Sequence, residues 1–156
     1  MKHLLIIAAA ATTLLFSSSA FASHYDIADV ELLPAAVQTK LIADGMETTE
    51  DLLGRLLTAN DRKAFSQKYG VSDKDTNALA RRLELMQIIG VGPKAAELLT
   101  LAGGKSVKGL ASADANELLE ALLAANRAHS ITGVQPDMTV VKDWISKAKK
   151  VSKHLS

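Results

Sequence analysis

Residues Leu83–Gly103, LELMQIIGVGPKAAELLTLAG, constrain the fold more than any other stretch of this chain. Leu83 and Met86 precede a Gly90-Val91-Gly92-Pro93 corner, and Ala95, Ala96, Leu98 and Leu99 follow it. On both sides the apolar residues recur at helical spacing. Glycine permits backbone angles that a Cβ opposes, and proline is accepted in the first turn of a helix but not in its interior. The stretch therefore predicts two helices joined by a tight corner, with Val91 turned inward and Lys94 on the first turn of the second helix. A dinucleotide-binding loop would need a strand before the glycines and an acidic residue about twenty positions on. Leu83 to Ile89 is helix-spaced instead, so that reading is set aside.

Helical patterns fill the rest of the chain from Pro34 on. Pro34–Asp44, a short helix capped at Thr48–Asp51 and carrying Leu52, Leu53, Leu56 and Leu57, a helix opened by Asn60-Asp61, and a longer one capped at Ser72 lead to the corner. After it come Pro93–Ala102, a short element at Ser106–Leu110, a helix capped by Asp114 with Glu117 at capping-box spacing, and a last helix bearing Trp144. The two series superpose. Leu32–Leu52 lies over Gly90–Leu110 at a constant shift of 58 residues. That predicts a duplicated, all-α domain in which each half covers the other's apolar faces. Val37, Leu41, Leu52, Leu99, Leu110, Leu122, Trp144 and Ile145 are the expected core.

The start of the chain reads differently. A basic Met1-Lys2-His3 precedes the apolar run Leu4–Phe16, and Ala20-Phe21-Ala22 follows in the small-x-small pattern of a cleavage site. As a helix that run rises about 20 Å, too little for a bilayer core of about 30 Å. The expectation is a signal peptide over residues 1–22 and a mature chain over 23–156, periplasmic or secreted, with no transmembrane segment. The chain has no cysteine, so burial alone must hold it. Lys2 is the one charged residue of the leader; the mature chain then has 17 residues of each sign. A net charge of zero is a poor footprint for a general nucleic-acid binder. His24, His129 and His154 lack partners at metal-ligand spacing, and no nucleophile arrangement stands out. Sequence reading therefore assigns no catalytic residue, no metal and no cofactor.

Leu85 to Leu110, the capped helix at Asp114 and the closing Val141-Lys142-Asp143-Trp144-Ile145-x-x-Ala148-Lys149-Lys150 resemble the domain of unknown function 4332 family. The resemblance implies tandem helix-hairpin-helix units related by a pseudo-two-fold: one over about 26–83 with a degenerate hairpin, one over about 84–156 with the glycine hairpin. In such hairpins the turn amides and the start of the second helix meet DNA phosphates without reading sequence. Carried onto this chain, Gly90, Val91 and Gly92 would offer the amides, and Lys94, Lys105 and Lys108 the charge. The first unit departs from the pattern, with Leu32-Leu33-Pro34 in place of the glycines and acidic Asp29 and Glu31 beside them. A structural or protein-interaction role is thus favoured over weak, sequence-independent nucleic-acid binding.

Overall fold

The computed structural model describes residues 24–103 and 106–153. The expected leader over 1–22 and Lys105 lie outside them. Among the described residues the chain is all-α: a 3-10 turn at Ile27–Asp29, then α1 (Ala35–Ala43), α2 (Thr49–Gly54), α3 (Ala59–Tyr69), α4 (Asp73–Leu85), α5 (Pro93–Leu101), α6 (Val107–Ala111), α7 (Ala115–His129) and α8 (Met138–Ser152). None of these helices is long and apolar enough to cross a membrane.

Local chemistry sets the helix starts. Side chains of Thr48, Thr58, Ser72, Ser106, Asp114 and Asp137 accept backbone N–H groups at the first turns of α2, α3, α4, α6, α7 and α8. This satisfies amides that a helix cannot bond internally. Thr58 and Asp61 form a full reciprocal box, so α3 opens one residue before the expected Asn60. At α7 only the forward half of the expected box is made, Asp114 accepting from the amides of Asn116 and Glu117. Because α3 starts so soon, α2 stops at Gly54. The Arg62 guanidinium then takes the Leu56 and Leu57 carbonyls at 2.9 and 3.2 Å. Leu56 is buried, but Leu57 is 66% exposed rather than on an apolar helix face.

Helix starts recur at fixed offsets. Pro93 begins α5 58 residues after Ala35 begins α1, and Val107 begins α6 58 residues after Thr49 begins α2. Met138 begins α8 65 residues after Asp73 begins α4, because α7 and its following loop are longer than α3 and its loop. α2 and α3 pack on α4, as α6 and α7 pack on α8. One continuous core results, in which Leu41, Leu52, Leu83, Leu85, Ile88, Leu99, Leu110 and Leu122 are almost wholly removed from water. Of the expected core residues, Val37 alone remains half-buried. It stands on the wall of an open cleft between α1 and α4.

Two polar features bind the outer elements. Buried Asn126 on α7 donates from Nδ2 to the Thr132 carbonyl and accepts its N–H on Oδ1, at 2.9 and 3.0 Å. That pair fixes the loop into α8. Asp44, at the end of α1, accepts the Tyr69 hydroxyl at 2.6 Å and the Lys68 ammonium at 2.9 Å. Lys68 and then Tyr69 hold its carboxyl below the ordinary value.

Thr76 on α4 breaks the pattern of satisfied groups. It is fully buried, and its hydroxyl meets no hydrogen-bond partner among the described residues. At the 65-residue offset that relates α4 to α8, the second half has buried Val141. Replacing a buried unpaired hydroxyl by an apolar group of the same shape removes a desolvation cost. Thr76→Val is therefore expected to raise stability by about 1 kcal/mol. Urea unfolding should show a higher midpoint at unchanged slope; a lower midpoint would mean that the hydroxyl has a partner.

Candidate functional site

The glycine corner joins α4 to α5. The chain leaves α4 through tightening turns, with the Ile88 N–H on the Leu85 carbonyl at 3.0 Å and the Val91 N–H on the Ile88 carbonyl at 2.9 Å. Gly90 has φ +93, where a side chain would be strained. Val91 points inward and is 1% exposed. Gly92 has an ordinary φ of −80, and a side chain there would be crowded for a different reason. A Cβ there would come within 3.2 Å of the Tyr25 hydroxyl. Tyr25 is held over the corner by the start of α2: its N–H donates to Thr49 Oγ1 and its carbonyl accepts the Thr49 N–H.

From the other side the corner is closed by α8. The indole N–H of Trp144 donates to the Gly90 carbonyl at 3.1 Å. A Cβ on Gly90 would lie 3.7 Å from that nitrogen and 3.7 Å from Lys147 Nζ, while Lys147 itself pairs with Asp143 at 2.6 Å. Between α4 and α5, Arg82 Nη2 faces Glu97 at 3.5 Å.

The six residues assigned from sequence do not all come together. Gly90, Val91 and Gly92 form the corner, where the Val91 amide is occupied and the Gly90 and Gly92 amides donate to no described residue. Lys94 is exposed on the first turn of α5, with the Glu31 carboxylate 4.0 Å away. Pro93 follows the N-cap Gly92, so no side chain caps α5. Lys108 is exposed on α6, and no hydrogen bond or ion pair joins its side chain to the corner. Lys105 lies outside the described residues.

Sequence reading missed Tyr25, Glu31 and Lys147 beside the corner, and it read Trp144 as core only. For Trp144 a signal existed: a buried indole N–H needs an acceptor. Tyr25, Glu31 and Lys147 are brought in by tertiary packing from distant elements. Among the described residues no group of three His, Cys, Asp or Glu side chains could hold a metal ion.

Comparison with known proteins identifies the family. Residues 32–151 match the family described as domain of unknown function 4332, and the chain belongs to it. No curated protein and no solved structure matches.

The contact between Gly92 and Tyr25 generates a paired prediction. Gly92→Ala should lower stability by about 1 kcal/mol, the lower end of overpacking costs. The same change in a Tyr25→Phe background, which lacks the obstructing oxygen, should cost much less. Thermal or urea unfolding of the four proteins measures the coupling. Additive losses would mean that Tyr25 does not press on the corner.

Proposed function

We propose that this chain is a non-catalytic, exported module whose role is structural or protein-interacting, built from two duplicated helical units with the glycine corner as their internal joint. It acts without cofactor or metal, and a protein partner fits it better than nucleic acid. One observation carries the reading: the Gly90 carbonyl, the Val91 amide and the Lys94 ammonium have partners within the chain. The Trp144 indole takes the Gly90 carbonyl, Ile88 takes the Val91 amide, and Glu31 faces Lys94. The matching helix starts at offsets of 58 residues support the duplication. A net charge of zero after loss of residues 1–22 supports a partner other than a polyanion.

A second reading, weak contact with DNA phosphates, has its own support. α5 begins without a side-chain cap, its first turn carries Lys94, and Lys147 stands beside Gly90. An uncapped helix start with a lysine favours an anion.

An electrophoretic shift on duplex DNA at low salt separates the two readings. The structural reading predicts no retention at concentrations up to about 100 μM, the weak limit of non-specific binding. Retention that falls with salt at a slope of about −2 to −3, as two or three neutralised phosphates require, would favour the second reading. In that event Lys94→Glu should abolish retention with helix content unchanged. Retention untouched by that reversal would place any DNA contact elsewhere.

A further inference from the structure

An open cleft of about 410 Å³ lies between the start of α1 and the face of α4 that carries Leu79. That volume is in the range of small-ligand sites. Leu33, Val37, Val71 and Leu79 give it apolar walls, and two charged residues of α4, Asp75 and Arg82, also line it. They stand seven residues apart, roughly 10 Å along the helix.

Arg82 is under-satisfied. Its side chain is 14% exposed, and its ion pair to Glu97 is long at 3.5 Å. The Nε is buried and meets no acceptor among the described residues. Burial pulls the guanidinium below its ordinary pKa against the opposing charge of Glu97, yet an arginine stays charged at neutral pH. A guanidinium presents five donors, and a buried charge is costly unless they are met. A strut between α4 and α5 accounts for the Glu97 contact alone. It does not account for an open apolar cleft beside the same group.

We propose that this cleft binds a small monocarboxylate with a short apolar body, its carboxylate on Arg82 and its body against Val37 and Leu79. A carboxylate matches the planar fork of a guanidinium, and the apolar walls favour a hydrocarbon body over a polar one. Asp75, whose Oδ2 accepts the Ser72 hydroxyl at 2.7 Å, sets a negative charge toward the other end and disfavours a dicarboxylate. The corresponding groove beside α5 is smaller. At the 65-residue offset Trp144 stands in register with Leu79 and Val140 with Asp75, and the groove between α5 and α8 holds about 280 Å³. Lys147 stands in register with Arg82 but is engaged by Asp143. The cleft beside α1 thus joins the larger volume to a largely buried, incompletely paired guanidinium.

The test is a titration of the purified, ¹⁵N-labelled protein with isovalerate, followed by amide and arginine Nε–H resonances. Saturable shifts are expected at the Arg82 Nε–H and at the amides of Leu33 and Val71, with a Kd on the order of 1 mM. Isovaleramide, which lacks the charge, and glutarate, which carries two, should each bind at least tenfold more weakly. Val37→Trp fills the cleft from its half-buried wall while leaving Arg82 in place, and should abolish the shifts with helix content unchanged. Arg82→Gln should abolish them as well; if that variant fails to fold, Val37→Trp still decides. Absence of saturable shifts at about twenty times the expected Kd overturns the proposal. So does an equal response to isovaleramide, or a response that survives Val37→Trp.

Discussion

The hydrogen bond from the Trp144 indole to the Gly90 carbonyl joins residues 54 positions apart and ties the last helix to the central corner. A single neutral hydrogen bond contributes only about 1 kcal/mol net. Its position gives it greater consequence. Trp144 is buried with Val141, Ile145 and Ala148, so α8 cannot leave the corner without exposing that whole face. The positive φ of Gly90 turns its carbonyl toward the indole, and Val91 anchors the same turn from within. α6 and α7 pack on α8, and α4 carries the first half's helices. The corner is therefore the place where the packing of both halves meets.

The turns before α1 and α5 are built differently. In the second half the turn before α5 uses glycine and a distant tryptophan. In the first half Leu32-Leu33-Pro34 precedes α1, after the 3-10 turn at Ile27–Asp29. The carbonyls of Ile27 and Val30 accept from Gln38 Nε2, at 2.6 and 2.8 Å. Ala96 stands 58 residues on from Gln38, is buried, and has no such group to offer. Trp144 lines the groove beside α5, and Leu79 lines the larger cleft beside α1.

Local chemistry made much of this legible in the sequence. Thr48, Ser72 and Asp114 announce helix starts within three or four residues, and the Gly-x-Gly-Pro spacing announces a corner before any neighbour is known. The 58-residue offset was visible because the apolar faces of α1 and α5 share one register. What could not be read depends on long separations. The Tyr25 hydroxyl confines Gly92 from 67 positions away in the chain. Glu31 reaches Lys94 only once the 3-10 segment lies near α5. Arg82 reads as an ordinary exposed helix residue until α1 and α5 are placed around it. Val37 has the spacing of a core residue, and only the absence of a large neighbour opposite it leaves it half-buried.

The central claim is that the corner is an internal joint through which both halves fold as one. Trp144 is the sole tryptophan of the chain and reports on that joint directly. Urea unfolding of the purified protein, followed by tryptophan fluorescence and by far-ultraviolet circular dichroism on the same samples, tests the claim. The account predicts coincident transitions with one midpoint and one slope, as a two-state domain gives. A fluorescence transition complete before helix content begins to fall would contradict it, because Trp144 would then leave the corner while the helices stand.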